Sequence, residues 1–129
     1  MTGRIPNFRG MRALVLHRAD GNCVALSDQL RRLAIDVRAL WPPDERAGFQ
    51  VDVVFFDVDL GFDGMFPWRG GEAPMPLVAI VGSETPGRLE WAIDQAPAAS
   101  ILKPIGSNGA VHTLVTAFSA HAERQRILA

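Results

Sequence analysis

The sequence predicts an α/β protein built on a doubly wound, five-stranded parallel sheet. Two patterns lead to this prediction. Short apolar runs of strand length recur along the chain, and they alternate with segments whose apolar residues recur at helical spacing. One run, VVFF at residues 53–56, is apolar without a break, which is typical of a strand buried on both faces of a parallel sheet. The chain has 129 residues and is 48% hydrophobic, so it can form one domain with its own core.

The first part of the chain predicts two strands on either side of one helix. Residues 11–16 (MRALVL) form an apolar run that we expect to be the first strand. Apolar residues then recur at helical spacing over residues 23–34, and Asp20 or Asn22 is placed to cap that helix. The alternating segment at residues 35–40 predicts the second strand.

The middle of the chain predicts two more strands joined by irregular segments. Two prolines in WPPDERAGF, residues 41–49, favour a loop or a single helical turn. Residues 51–57 predict the third strand and residues 77–81 (LVAIV) the fourth. Between them, residues 61–76 are rich in glycine and proline, so we expect the third helix to be weak or missing.

The last part predicts a helix, a short strand and a final helix. The helix begins near Thr85, with Pro86 at its first position, and residues 99–102 form the fifth strand. The final helix runs to about residue 127 and has an apolar stripe, Val111, Leu114, Val115 and Phe118. We interpret this stripe either as a surface packed on the sheet or as an interface in a homodimer. These elements together fit a flavodoxin-like doubly wound fold, whose ligand site lies at the carboxyl ends of the strands.

Composition and charge exclude several classes of function. Residues 1–10 are basic but lack the apolar centre of a signal peptide, so we expect a loose arm ahead of one domain at residues 11–129. No apolar run approaches the roughly 18 residues of a membrane span. A net charge of −1 gives no electrostatic reason to expect nucleic-acid or membrane binding. The lone Cys23 fits a reducing cytoplasm, and the three histidines are too widely spaced to indicate a metal or cofactor site.

Three chemically capable side chains follow three strands of the predicted sheet. Asp57, Ser83 and Lys103 lie at the ends of strands three, four and five. A carboxylate beside a hydroxyl and an ammonium could handle a phosphoryl group, because the carboxylate attacks or coordinates while the other two hold phosphoryl oxygens. The sequence therefore predicts a phosphoryl-type site at this edge of the sheet.

This layout resembles the receiver domain of bacterial response regulators. In that family a phospho-acceptor aspartate ends strand three and a Lys-Pro pair follows strand five, and Asp57 and Lys103-Pro104 match those positions. The resemblance implies that a working site would accept phosphate on Asp57 and would require Mg²⁺. A stand-alone phospho-receiver is therefore one hypothesis for this chain.

The chain departs from the receiver pattern at several positions. His17-Arg18 replaces the acidic pair that holds magnesium after strand one, which should remove most of the affinity for a divalent ion. The hydroxyl residue of strand four is expected near Val81, and Ser83 lies two residues later. Ser100 replaces the aromatic residue three positions before the lysine.

A closer resemblance covers residues 11 to about 126. The segment VRALWPP, the strand VDVVF and LVAIV with its Thr-Pro helix start look like the N-terminal pseudo-receiver of AmiR-type transcription antiterminators. The resemblance implies that a protein partner, such as a small-ligand-sensing regulator, supplies the signal in place of phosphate. In that family a coiled coil and an RNA-binding ANTAR module follow this domain. We expect this chain, which ends at Ala129 without them, to be either a fragment or a stand-alone relative.

Asp57 has two interpretations. It is either a live phosphorylation site or a carboxylate paired with Lys103 or Arg18, whose charge would keep it ionised. We favour the ion pair and treat Asp59 as a loop carboxylate near the sheet edge. The pocket counterparts are thus His17, Arg18, Asp59, Val81, Ser83, Lys103 and Pro104, with no catalytic residue and no metal.

Two further hypotheses concern the loop after strand three. Its apolar residues Phe62, Met65, Phe66 and Trp68 either cover the sheet or leave a patch for a partner, and we favour the first. FDVDLG also resembles the nucleophile motif of haloacid-dehalogenase-type phosphatases, which would make Asp57 a nucleophile. The motif follows the third strand instead of the first, and only Glu123 is acidic after Lys103, so we do not expect an enzyme.

Overall fold

The computed structural model describes residues 7–44 and 48–128 and confirms the predicted fold. The strands are β1 Arg12–Leu16, β2 Asp36–Leu40, β3 Val53–Asp57, β4 Leu77–Val81 and β5 Ala99–Leu102. The helices are α1 Gly21–Arg32, α2 Pro86–Asp94 and α3 Ala110–Leu128. All neighbouring strands are parallel, and the sheet has the order β2-β1-β3-β4-β5. This is the strand order of the flavodoxin-like fold.

Strand alternation divides the core into two layers. Ala13 and Val15 of β1 face α1 and α3 on one side of the sheet. Leu14 and Leu16 face the other side, in a core cluster that also contains Trp91 of α2 and buried residues of the loop after β3. Strands β3 and β4 are buried along their whole length because both faces of the sheet are covered.

Helix α1 begins at a side-chain cap and fastens the loop that follows β5. Asp20 is the cap, because its Oδ1 accepts a hydrogen bond from the Cys23 amide at 3.0 Å. The other candidate, Asn22, accepts a hydrogen bond from the Ile105 amide instead. The buried Gln29 side chain donates to the Gly106 carbonyl at 2.7 Å and accepts from the Ala110 amide. These bonds hold the β5–α3 loop, which carries the residues after Lys103, against α1.

An irregular loop replaces a helix on the second face of the sheet. Within the described residues, neither the β2–β3 connection nor residues 58–76 contain a helix, as the glycine and proline pattern predicts. Met65 and Phe66 are buried against β3 and α2. Phe62 is the exception, because it stays 43% exposed. The buried residues of this loop therefore cover the sheet, as expected.

Two expectations at the chain ends need correction. Residues 1–6 of the expected loose arm lie outside the described residues, but Phe8 is buried and stacks on Phe118 with ring centroids 6.2 Å apart. The ordered domain therefore begins before residue 11. The apolar stripe of α3 is also divided, since Leu114 is fully buried while Val111 and Val115 are each 43% exposed. The stripe therefore does not form one continuous surface, because one edge of it faces the core and the other edge faces solvent.

Candidate functional site

Asp57 ends β3 in a buried position and is paired with a lysine. Its side chain is 1% exposed, and Oδ1 lies 3.1 Å from the Lys103 Nζ atom. The same oxygen accepts a hydrogen bond from the Asp59 amide at 2.9 Å. The Lys103–Pro104 peptide bond is cis, and Lys103 follows β5 at the same edge of the sheet. The predicted convergence of Asp57 and Lys103 is thus present.

His17 occupies the other side of the Asp57 carboxylate. The register of β1 against β3 pairs Leu16 with Phe56. The residues that follow them, His17 and Asp57, are therefore brought side by side. The imidazole is fully buried, and its Nε2 lies 3.9 Å from Asp57 Oδ2. Its Nδ1 lies 2.9 Å from the Arg18 carbonyl oxygen, which can only accept, and 3.5 Å from Asp20 Oδ1. His17 therefore stands where the receiver pattern has an acid.

Arg18 does not pair with Asp57, which corrects one of the two partners that the sequence suggested. Its side chain is 64% exposed, and Nε donates to Asp20 Oδ2 at 3.3 Å. Successive side chains at a strand end point in opposite directions, so burying His17 turns Arg18 toward solvent. The ammonium of Lys103 is the cation that contacts Asp57.

Asp59 has a larger role than its predicted place as a loop carboxylate. Its Oδ2 lies 2.8 Å from Lys103 Nζ, and its Oδ1 accepts hydrogen bonds from the amides of Gly82 and Ser83 at 3.1 and 2.8 Å. Partial burial alone would raise the pKa of Asp59, but these bonds outweigh it and hold the pKa below its ordinary value. Burial likewise would lower the pKa of Lys103, but both carboxylates raise it.

The hydroxyl and apolar positions after β4 also differ from a phosphoryl-handling site. Val81, at the expected hydroxyl position, is buried and apolar. The Ser83 hydroxyl donates to Thr85 Oγ1 at 3.3 Å, at the start of α2. Ser83 therefore contributes its backbone amide to the site, through Asp59, and its hydroxyl to the turn before the helix. Ser100 is exposed on β5.

Glycines keep the site compact. A Cβ at Gly82 would overlap Asp59 Oδ2 and lie 2.9 Å from Lys103 Cδ. A Cβ at Gly61 would overlap the Trp91 ring and lie 2.9 Å from the Asp57 carbonyl oxygen. Sequence reasoning missed both restrictions. The available signals were the Asp-x-Asp spacing of Asp57 and Asp59 and a glycine directly after β4.

The donor set does not fit a magnesium ion. Mg²⁺ needs several oxygen ligands, and the Asp57 Oδ2 atom faces an imidazole nitrogen while Oδ1 is bonded to an ammonium. Asp20 caps α1 and contacts Arg18. Within residues 7–44 and 48–128, no three His, Cys, Asp or Glu side chains are grouped as a metal site would require.

The fold and the site together define a receiver-type domain with an altered acceptor pocket. A model of the family described as "AmiR, N-terminal" matches residues 11–118. The chain belongs to the AmiR N-terminal family, and it is a regulatory, signal-receiving domain. None of the curated proteins compared with it is similar enough in sequence to match.

Solved structures with a similar fold include signal receiver domains and a two-component response regulator. The signal receiver domain of a modulated diguanylate cyclase from Desulfovibrio desulfuricans G20 superposes with a TM-score of 0.64 at 17% identity, covering 92% of this chain and 98% of that one. NtrX from Brucella abortus gives a TM-score of 0.64 at 16% identity, with 92% and 29% coverage. Full-length FixJ from B. japonicum gives 0.63 at 14% identity, with 93% and 62% coverage. At these identities the likeness establishes the fold.

No helix in the described part of the chain combines the length and apolar character that crossing a bilayer would require.

Proposed function

We propose that this domain receives its signal through a protein partner, without phosphorylation of Asp57, in a bacterial transcription antitermination or response-regulator protein. One observation carries the proposal: the chain's own side chains enclose the acceptor carboxylate, since the Lys103 ammonium contacts Asp57 on one side and the His17 imidazole faces it on the other. Phosphoryl transfer to a carboxylate needs a divalent ion to neutralise the developing charge. An imidazole at the ion's position opposes that binding.

A phosphodonor assay tests this proposal. The protein is incubated with acetyl phosphate and Mg²⁺, and its mass is measured by intact mass spectrometry. A receiver domain known to accept phosphate serves as the positive control. We expect no mass gain for this chain. A gain of one phosphoryl group that disappears in Asp57→Asn would establish the alternative, a stand-alone phospho-receiver.

The domain is not proposed to be an enzyme. A phosphatase of the haloacid-dehalogenase type would need an acidic magnesium cluster after Lys103, and the only acid there is Glu123. That residue lies on an exposed part of α3 and pairs with Arg126. Measured hydrolysis of p-nitrophenyl phosphate with Mg²⁺, lost in Asp57→Asn, would contradict this part of the proposal.

We further propose a homodimer formed through the outer edge of α3. Val111 and Val115 lie one helical turn apart and are both 43% exposed, whereas Leu114 packs against the sheet. Mass measurement in solution over a range of concentrations tests this. We expect a concentration-dependent dimer that Val115→Glu weakens, while Val24→Glu on the exposed part of α1 leaves it unchanged. A monomer at all concentrations would contradict it.

The chain's chemistry also fits a location in the cytoplasm. Cys23 is buried, and burial raises the pKa of its thiol, which lowers its reactivity and fits a reducing compartment. RNA contact would belong to a separate module, since a net charge of −1 gives no electrostatic reason to expect this domain to bind RNA.

A further inference from the structure

The strand ends form a cradle of three donors around the Asp59 carboxylate. The donors are the Lys103 ammonium and the successive backbone amides of Gly82 and Ser83. An ammonium beside two adjacent amides is a binding site for an oxyanion, because all three groups direct hydrogens toward one negative charge. Here both oxygens of Asp59 are engaged, Oδ2 by the ammonium and Oδ1 by the two amides.

The local sequence is arranged so that this carboxylate fits. Gly82 has no Cβ, and one there would overlap the Asp59 oxygen that meets Lys103. The Asp59 amide donates to Asp57 Oδ1, which fixes the turn that brings Asp59 back over the strand ends. Its partners lie 23, 24 and 44 residues further along the chain, so three separate segments meet at this one side chain.

We propose that Asp59 is a built-in oxyanion that fills the anion cradle of Lys103, Gly82 and Ser83. It closes a site that would otherwise take a tetrahedral oxyanion such as phosphate. Asp59 thereby joins three segments, the β3–β4 loop, the β4–α2 loop and the end of β5. An external anion would join the same segments only while it was bound. This inference deepens the proposed function, because a cradle filled from within gives phosphate no means of changing the state of these loops.

Removing the carboxylate should open the cradle. We compare the full chain with Asp59→Ala, following the Gly82 and Ser83 amides by ¹H–¹⁵N NMR while inorganic phosphate is added without Mg²⁺ at constant ionic strength. We expect saturable shifts of both amides in Asp59→Ala, with phosphate affinity at least about tenfold above that of the unaltered chain. Adding Lys103→Met should abolish the response. Asp63→Ala, which removes a carboxylate from the same loop, is the matched control and should show none.

Two outcomes would overturn the inference. One is a folded Asp59→Ala protein, judged by a cooperative melt and a dispersed spectrum, whose two amides do not respond to phosphate. The other is an unaltered chain that binds phosphate at these amides as tightly as the variant.

A second measurement needs no variant. In the unaltered chain, the Ser83 amide proton should titrate together with the Asp59 carboxyl carbon in acid, and independent titration would contradict the inference. Both experiments are separable from the phosphodonor assay, which detects a covalent product on Asp57. Phosphorylation of Asp57 would refute the proposed function. The inference that Asp59 fills the anion cradle would still be tested separately, by the shifts of the two amides.

Discussion

His17 Nε2 and Asp57 Oδ2 face each other at 3.9 Å, and neither atom has a hydrogen-bond partner among the described residues. Because His17 Nδ1 must carry a hydrogen to bond the Arg18 carbonyl, Nε2 offers a second hydrogen to Asp57 only when the ring carries both protons. Without that proton, two lone pairs oppose each other in a buried space. The contact is thus the point at which the acceptor pocket departs furthest from a metal-binding one.

Restoring an acid at this position should create a response to Mg²⁺. In His17→Asp, two buried carboxylates would face each other, so we expect a lower melting temperature without metal. Mg²⁺ should then stabilise the variant by about 1.4 kcal/mol at ten times its dissociation constant, which raises the melting temperature by several degrees. Thermal melts with and without Mg²⁺ at fixed ionic strength measure this.

The control for that variant is the same substitution in an Asp57→Asn background. Removing the facing carboxylate should abolish the Mg²⁺ effect. A melting temperature of His17→Asp that does not depend on Mg²⁺ would mean that residue 17 does not reach the acceptor carboxylate in solution.

Lys103→Met should destabilise the domain more than Asp57→Asn does. The lysine neutralises both Asp57, which is 1% exposed, and Asp59. Removing it leaves an uncompensated buried charge, for which we expect a loss of about 3 kcal/mol in the free energy of unfolding. Asp57→Asn leaves Lys103 paired with Asp59 and should cost less. Urea denaturation gives both values.

The double variant separates charge from packing. If buried charge is the cause, Lys103→Met combined with Asp57→Asn should be more stable than Lys103→Met alone. A purely additive result would assign the loss to packing of the lysine chain. Arg126→Met, which breaks an exposed pair with Glu123, should leave the urea midpoint unchanged.

Gly82→Ala should break the contact between Asp59 and Lys103. Its φ angle is not in the left-handed region, so the cost arises from the collision of the new Cβ with these side chains. We expect a loss of about 1–2 kcal/mol, measured by urea denaturation. In an Asp59→Ala background the same change should cost less than half as much, because one collision partner is gone.

Gly87→Ala is the matched control. A Cβ there meets no atom within 4 Å, and the residue lies inside α2, where alanine is favoured by about 0.5–1 kcal/mol. It should leave stability unchanged or raised. Equal losses in the two variants would show that glycine at position 82 serves the backbone rather than the side-chain contact.

Asp59 should contribute stability that disappears in acid. Despite partial burial, its hydrogen bonds lower its pKa in the folded state below the ordinary 3.8, so the contribution is complete above about pH 4 and is lost as the pH falls through the folded-state pKa. We therefore expect the stability difference between the unaltered chain and Asp59→Asn to be constant from pH 5 to 7 and to shrink below about pH 4.

Urea midpoints of both proteins at several pH values measure this difference. Acidic groups that contact neither Asp59 nor Lys103 are common to the two proteins and cancel in the comparison. A difference that grows as the pH falls would contradict the assignment of Asp59 as a stabilising, ionised ligand of Lys103.

Local patterns determined much of this protein. The unbroken apolar run of β3 required a strand buried on both faces, and LVAIV fixed β4 at the predicted residues. Pro86 marked the first turn of α2, and the glycines and prolines of residues 61–76 excluded a regular helix. These features depend on side-chain size and backbone geometry within a few residues, which the sequence displays directly.

The site shows where such reasoning stops. The positions of Asp57 and Lys103 followed from strand order, since carboxyl ends of parallel strands share one edge. The sequence left Lys103 and Arg18 as the candidate partners of Asp57. The register of β1 against β3 places His17 beside Asp57, and Arg18 is turned toward solvent. The cap of α1 was ambiguous for a similar reason, because Asn22 bonds to a residue 83 positions away.

By itself, the sequence determined the order of strands and helices, the family resemblance and the edge of the sheet at which the site would form. Only the tertiary structure decided that His17 is buried, that Arg18 is exposed and that Asp59 takes the Lys103 ammonium and two backbone amides. Those outcomes depend on distances between residues far apart in the chain. Hydrogen bonds and ion pairs act over about 3 Å, so their partners are decided by packing of the folded chain and not by neighbours in sequence.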